Sequence, residues 1–293
     1  MRYVLTRQLI APVIAALMIS VGSRGADNAS REASVAEQLQ AARLMQAALA
    51  AREAKPEEWR RLDETYADLV AKNPRDAAVR NAHGEFLWER GEQSRAVVEW
   101  EAAEQIDPRN SIVLEHLGSG ALAAGEARKS AGYFARAVAC DPSNAAYHFA
   151  LANVQFLFRH ELLDSVHPNE TSLLTEALAH FAEATRLAPG NPEYAGAYAE
   201  TFYSLPQPDW PAALSAWEHV QLINPQPDFA LLHQARIHLK MGHPDAAKAC
   251  LARIQSVENQ KLKSKLEAQA AAQADLTLNP PAAIRENAVS APP

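Results

Sequence analysis

Residues 77–110 read AAVRNAHGEFLWERGEQSRAVVEWEAAEQIDPRN, and the next 34 residues, 111–144, read SIVLEHLGSGALAAGEARKSAGYFARAVACDPSN. The two lines share their punctuation. Each ends in a polar turn around a proline, Asp107-Pro108-Arg109-Asn110 and Asp141-Pro142-Ser143-Asn144, and Asn73-Pro74-Arg75-Asp76 stands one period upstream. Each has a mid-line glycine, Gly91 and Gly125. Moving outward, Pro189 follows Pro142 after 47 residues and Pro225 follows Pro189 after 36, so the 34-residue period continues with insertions of 13 and 2.

The side chains before each proline obey one rule. Ala96, Trp100 and Ala103 precede Pro108, and Ser130, Phe134 and Ala137 precede Pro142. Ala177, Phe181 and Ala184 precede Pro189, and Ala213, Trp217 and Val220 precede Pro225. Steps of four and three keep all three residues on one helix face, where small side chains admit a neighbouring helix and the large one fills the gap. Proline then closes the helix, because it pushes the residue before it out of the α region. Another helix comes first in each unit, marked by His83-Gly84 and Leu87 and by Leu114, Leu117 and Gly118. The composition agrees: good helix formers dominate, hairpin signals are missing, and the chain reads as all-α.

These residues resemble the tetratricopeptide-repeat family, whose unit carries a large–small pair, a mid-unit turn, a small-x-x-x-aromatic step and a closing proline. The resemblance implies a right-handed superhelical solenoid of stacked antiparallel helix pairs over residues 43–261. Its units would be a degenerate one at 43–76, clean ones at 77–110 and 111–144, two with insertions at 145–191 and 192–227, and a last one at 228–261. A leading cap helix is expected at 26–42, a capping helix at 262–278 and a disordered, proline-rich tail at 279–293.

Arg2 and Arg7, the apolar run Leu9–Gly22 and the small residues Ser23 and Gly25 form the three-part pattern of a secretory signal at 1–25. The run is shorter than the ~20 residues a spanning helix needs, so no stable membrane span is expected after cleavage. The pattern and the family point to an exported bacterial protein, periplasmic or secreted. After cleavage 25 basic and 35 acidic residues remain, a formal net charge of −10 that disfavours nucleic acid as a partner. Cys140 and Cys250, three units apart, are roughly 30 Å from each other at ordinary helix spacing. That exceeds disulfide reach, so both read as buried thiols.

In the family the first helix of each unit lines the concave face. Carried over residue by residue, the groove would present Asn81, Glu85 and Trp88, then Glu115, Ser119 and Leu122, then Phe149, Asn153 and Phe156, then Glu193, Glu200 and Tyr203, and finally Phe229, Leu232 and Arg236. The carboxylate-clamping basic residues of some members are missing from the clean units, where Asn81, Glu85, Glu115 and His116 stand. The expectation is a non-catalytic scaffold binding a protein or peptide with apolar anchors and some basic residues on an aromatic, acidic groove, without a cofactor. A different class is a metal-dependent protein or enzyme using the insertion at 159–171. There His160, Asp164 and His167 would share a helix face at i, i+4 and i+7. A third is a self-assembling structural solenoid. His233, His238 and His243 read as surface or packing residues, and Asn169-Glu170-Thr171 as a turn.

Overall fold

The structure, a computed structural model, describes residues 34–163 and 169–278. These residues form thirteen α-helices and one short 3-10 turn, with no strand among them. In chain order they are α1 (Val35–Ala50), α2 (Pro56–Lys72), α3 (Ala77–Glu89), α4 (Gln93–Ile106), α5 (Ser111–Ala123), α6 (Ala127–Cys140) and α7 (Ala145–Leu157). They continue with α8 (Glu170–Leu187), α9 (Pro192–Thr201), the 3-10 turn Phe202–Ser204, α10 (Trp210–Ile223), α11 (Asp228–Lys240), α12 (Pro244–Ala252) and α13 (Gln260–Leu278). Consecutive helices pack in pairs, each pair packs on the next, and α13 closes against α11 and α12.

The proline turns both stop one helix and start another. Two residues after each of the first four prolines an Asp or Asn caps the next helix, satisfying amide groups that the first turn leaves without partners. Asp76 accepts from the amides of Ala78 and Val79, Asn110 from Val113, Asn144 from Ala146, and Asn191 from Glu193 and Tyr194. Helix α11 is the exception, entered through Pro227 with no side-chain acceptor. Within pairs, Gly91, Gly125 and Gly242 end the first helix at φ of 79°, 77° and 77°, the left-handed conformation that a Cβ disfavours.

The small–large–small residues of α4, α6, α8 and α10 are all buried, none more than 4% exposed. Opposite each large ring stands a small residue, always the eighth of the preceding odd-numbered helix. A Cβ on Gly84 would run into the Trp100 indole, whose Nε1–H donates to the Asn81 carbonyl, and one on Gly118 would lie 2.9 Å from the Phe134 ring. In the later pairs alanine suffices: Ala152 packs with Phe181, Ala199 with Trp217, and Ala235 with Leu251.

Three expectations change. The boundary between a cap at 26–42 and a first unit at 43 falls inside α1. That helix runs unbroken from its Ser34 capping box and pairs directly with α2, so one helix serves both roles. His160 lies in a turn beyond the end of α7, not on a helix, and Asp164 and His167 lie outside the described residues, as does the expected tail. Cys250 is buried, but Cys140 is only half-buried, being the last residue of α6. Asn169 is the N-cap of α8, its side chain accepting from the Ser172 amide.

The first and second pairs are also tied by a charged cluster. His83, 3% exposed, places Nε2 3.0 Å from Asp63 Oδ1 of α2 and Nδ1 3.4 Å from Glu99 Oε1 of α4. Arg95 pairs with Asp63 at 3.1 Å and Arg80 with Glu99 at 2.8 Å. Burial pulls the His83 imidazole down, but Glu99 and Asp63 together outweigh it and hold it above its ordinary value of 6.5.

Two predictions follow from this packing. Gly84→Ala should destabilise by about 1–3 kcal/mol through overpacking against Trp100. Gly132→Ala, on the exposed face of α6 where nothing lies within 4 Å, should instead stabilise by up to about 1 kcal/mol, with chemical denaturation reading both. For His83, whose folded value is raised, the stabilising contribution is complete below pH 6.5 and is lost as the pH climbs through the folded value. The stability difference between the wild type and His83→Gln should therefore shrink from pH 6 towards alkaline pH in urea titrations.

Candidate functional site

The first helices of the pairs, α1, α3, α5, α7, α9 and α11, touch their neighbours along one wall of the stack, where the groove residues were expected. The structure divides those residues into three groups. In the N-terminal third they bond to one another. Asn81 Nδ2 donates to Glu85 Oε1 at 2.8 Å, its Oδ1 lies 2.9 Å from His116 Nδ1, and Glu85 pairs with Arg43 of α1 at 3.2 Å. Glu115 accepts from the Ser119 hydroxyl at 3.1 Å and lies 3.5 Å from His116 Nε2. Arg43, Glu85, Asn81, His116, Glu115 and Ser119 thus form a polar ladder across three helices. Next to it, Glu89 accepts from Gln46 at 2.7 Å, and these two residues with Arg43, Glu85, Ala47 and Ala50 line a cavity of about 380 Å³. The acidic rim expected here is already hydrogen-bonded within the chain.

The middle group is largely packing. Trp88 lies 5.4 Å from Trp100, ring centre to ring centre, and lines a separate cavity of about 320 Å³ with Val97, Leu117, Ala121 and Tyr133, away from Glu85. Leu122 packs into the cluster around Phe134 and Leu151. Phe149 is wedged between Phe181 at 5.7 Å and Tyr194 at 4.5 Å, joining α7, α8 and α9. Phe156 lies edge-on to Phe181 at 6.4 Å, under the Arg159 guanidinium. Asn153 is half-buried, and Leu232 is 1% exposed and part of the core around Leu251. Phe149 joins one pair to the next, because a ring too large for the contact within its own pair reaches Tyr194 of the following one.

The third group is open. Glu193, Glu200 and Arg236 are exposed, Tyr203 is half-buried, and Phe229 is 50% exposed. Their organising residue is His233, which sequence reasoning placed among packing histidines. It stacks on Trp217 at 3.9 Å and 8°, meets the edge of Phe229 at 4.6 Å, and is hydrogen-bonded through Nδ1 to the Tyr203 hydroxyl at 3.0 Å. Burial, reinforced by the Arg236 charge, pushes His233 down to about 4, and burial pushes Tyr203 up to about 12. Both are neutral near pH 7, so the bond joins two uncharged groups. Arg236 lies over the Tyr203 ring, 5.2 Å from its centre. Phe229, His233, Arg236 and Lys240, at i, i+4, i+7 and i+11, share one stripe of α11, a spacing that signals the cluster in the sequence itself.

Of the metal candidates only His160 lies among the described residues. His160 pairs with Glu170 through Nδ1 at 2.9 Å, and among the described residues no group of three or more His, Cys, Asp or Glu is placed to hold an ion. A pair that the sequence reading missed is His148 and His180, with Nδ1 atoms 3.0 Å apart. His148 Nε2 donates to the Pro142 carbonyl at 3.1 Å, so in the neutral pair His180 donates to His148. Burial and the neighbouring His148 hold His180 below its ordinary value. No described helix is long and apolar enough to cross a membrane.

No protein-family model matches the chain, and no curated protein matches it in sequence. Solved structures do match its shape. One is YrrB, described as a tetratricopeptide-repeat protein with an unusual peptide-binding site. It is 15% identical, with a TM-score of 0.54 over 73% of this chain and 100% of YrrB. Another is PilF of Pseudomonas aeruginosa, 16% identical, with a TM-score of 0.54 over 79% of this chain and 99% of PilF. The chain has the tetratricopeptide-repeat fold.

Because its folded value is depressed, His233 contributes stability that is present above pH 6.5 and is lost as the pH falls through about 4. Urea titrations between pH 7 and pH 4 should show the wild type losing about 3 kcal/mol more than His233→Gln, the free-energy equivalent of that shift.

Proposed function

We propose that this chain is a non-catalytic scaffold that holds a segment of a partner protein along its odd-numbered helices, in an exported bacterial setting. The observation that carries the reading is Phe229. A large apolar ring, fixed by Trp217 and His233, is left half in solvent, with the exposed Arg236 two turns along the same face of α11. A rigid apolar anchor point inside a charged rim is what a binding hot spot requires, since little ordering entropy remains to be lost on association. The partner presents apolar side chains to Phe229 and Tyr203 and basic residues to Glu193 and Glu200. The peptide-binding site named for YrrB supports binding as a use of this fold. The run Leu9–Gly22 behind Arg2 and Arg7 supports export.

The experiment is affinity purification of the tagged protein from envelope and secreted fractions, with the recurrent partner then measured against purified variants. Phe229→Ala with Glu200→Lys should weaken that partner by at least about tenfold, the usual cost of losing a hot-spot side chain. Helical circular dichroism should be unchanged. Equal affinity of variant and wild type would remove the groove from the account.

A further inference from the structure

The open part of the groove changes sign at Tyr203. On one side stand Glu193 and Glu200 of α9, and on the other Arg236 and Lys240 of α11, all four exposed and, among the described residues, none in an ion pair. The change continues beyond the groove. Residues 34–227 contain 27 Asp and Glu against 16 Lys and Arg, whereas residues 228–278 contain 5 against 7. The N-terminal groove differs, because there Glu85, Glu89 and Glu115 each have an internal partner. A ligand charge placed on that ladder competes with bonds already made, whereas one placed near Tyr203 meets a group with no partner to give up.

Resting on the groove-binding reading, we infer that the bound segment is itself dipolar. Its basic residues lie over Glu193 and Glu200, an apolar side chain sits on Phe229, and its carboxylates lie over Arg236 and Lys240. The placement of Arg236 favours this use. Its guanidinium lies over the Tyr203 ring, 5.2 Å from the centre, and its N–H groups are available for a two-point hydrogen bond to a carboxylate. Lys240, one turn further along the stripe, adds a second positive charge. The arrangement specifies orientation as well as composition, because a segment laid the other way meets like charge at both ends.

Random peptides displayed on phage and selected on the full-length protein test this, with selected sequences then synthesised and measured by fluorescence anisotropy. The expected ligands carry Asp or Glu at one end, Lys or Arg at the other and an apolar residue between. For them Arg236→Glu with Lys240→Glu should weaken binding by about tenfold to a hundredfold, the effect of losing one or two charged hydrogen bonds. The neutral pair Arg236→Gln and Lys240→Gln should fall in between, and both variants should melt like the wild type, since the side chains are exposed. Ligands without the acidic end, or acidic ligands indifferent to charge reversal, would overturn the inference and leave groove binding standing. A selection yielding no binder at all would overturn both.

Discussion

The eighth residue of each odd-numbered helix from α3 to α11 is Gly or Ala, and a large side chain of the following helix presses on it. This contact sets the spacing of these five helix pairs. Where the partner is Trp100 or Phe134 the residue is glycine, and the rings occupy the place where a Cβ would stand. Where it is Phe181, Trp217 or Leu251 the residue is alanine. With the intrapair distance fixed, the flanking alanines, Ala96 and Ala103 around Trp100 for example, admit the neighbouring pair, and the stack propagates by contacts between near neighbours only. The glycine turns and Asx caps then keep each helix to a length at which the contact recurs in register.

A wall of regularly spaced helices brings side chains of adjacent units within reach, and the chain uses this differently along its length. In the first three pairs, long polar side chains bridge neighbouring helices and satisfy one another. In the middle, phenylalanines and tyrosines join successive pairs. In the last two complete pairs, Trp217, His233 and Tyr203 form a rigid base on which Phe229 and Arg236 are displayed rather than consumed. Neutrality of the His233–Tyr203 bond matters to this base, since a charged imidazole would be buried there and would add to the Arg236 charge. The division also gives the wall a polarity that identical repeats would lack.

Much of the fold was legible because it rests on period and punctuation. Pro74, Pro108 and Pro142, together with the Asp or Asn two residues later, place helix boundaries by local chemistry alone. The groove was legible as a set of positions but not as a state of those positions. Whether Glu85 is a free carboxylate or half of an ion pair depends on Arg43, 42 residues away, and Asn81 is satisfied by His116, 35 residues on. In a 34-residue repeat, residues about one period apart are neighbours, so testing each groove charge against its counterpart one unit away would have exposed the ladder. Trp88 and Phe149 illustrate the converse. Their register is that of groove residues, yet their size lets them fill the seams between pairs. At the insertion, α7 ends at Leu157, so His160 stands in a turn and not on the helix that its spacing suggested.

Helix α13 covers the last hairpin with Leu266 and Ala270, both buried, against Leu251 and Ile254. Lys263 and Gln273 donate to the carbonyls of Ile254 and Leu239. Its other face is rich in lysine, glutamine and glutamate. Seen as a linear polymerisation, every other hairpin here is a monomer with two reactive ends, and α13 is the chain stopper. It occupies the site a seventh hairpin would take and presents a hydrated surface that cannot nucleate another. The described stack is thus capped at that end by one helix whose exposed face is polar, a feature of α13 rather than of the repeats themselves.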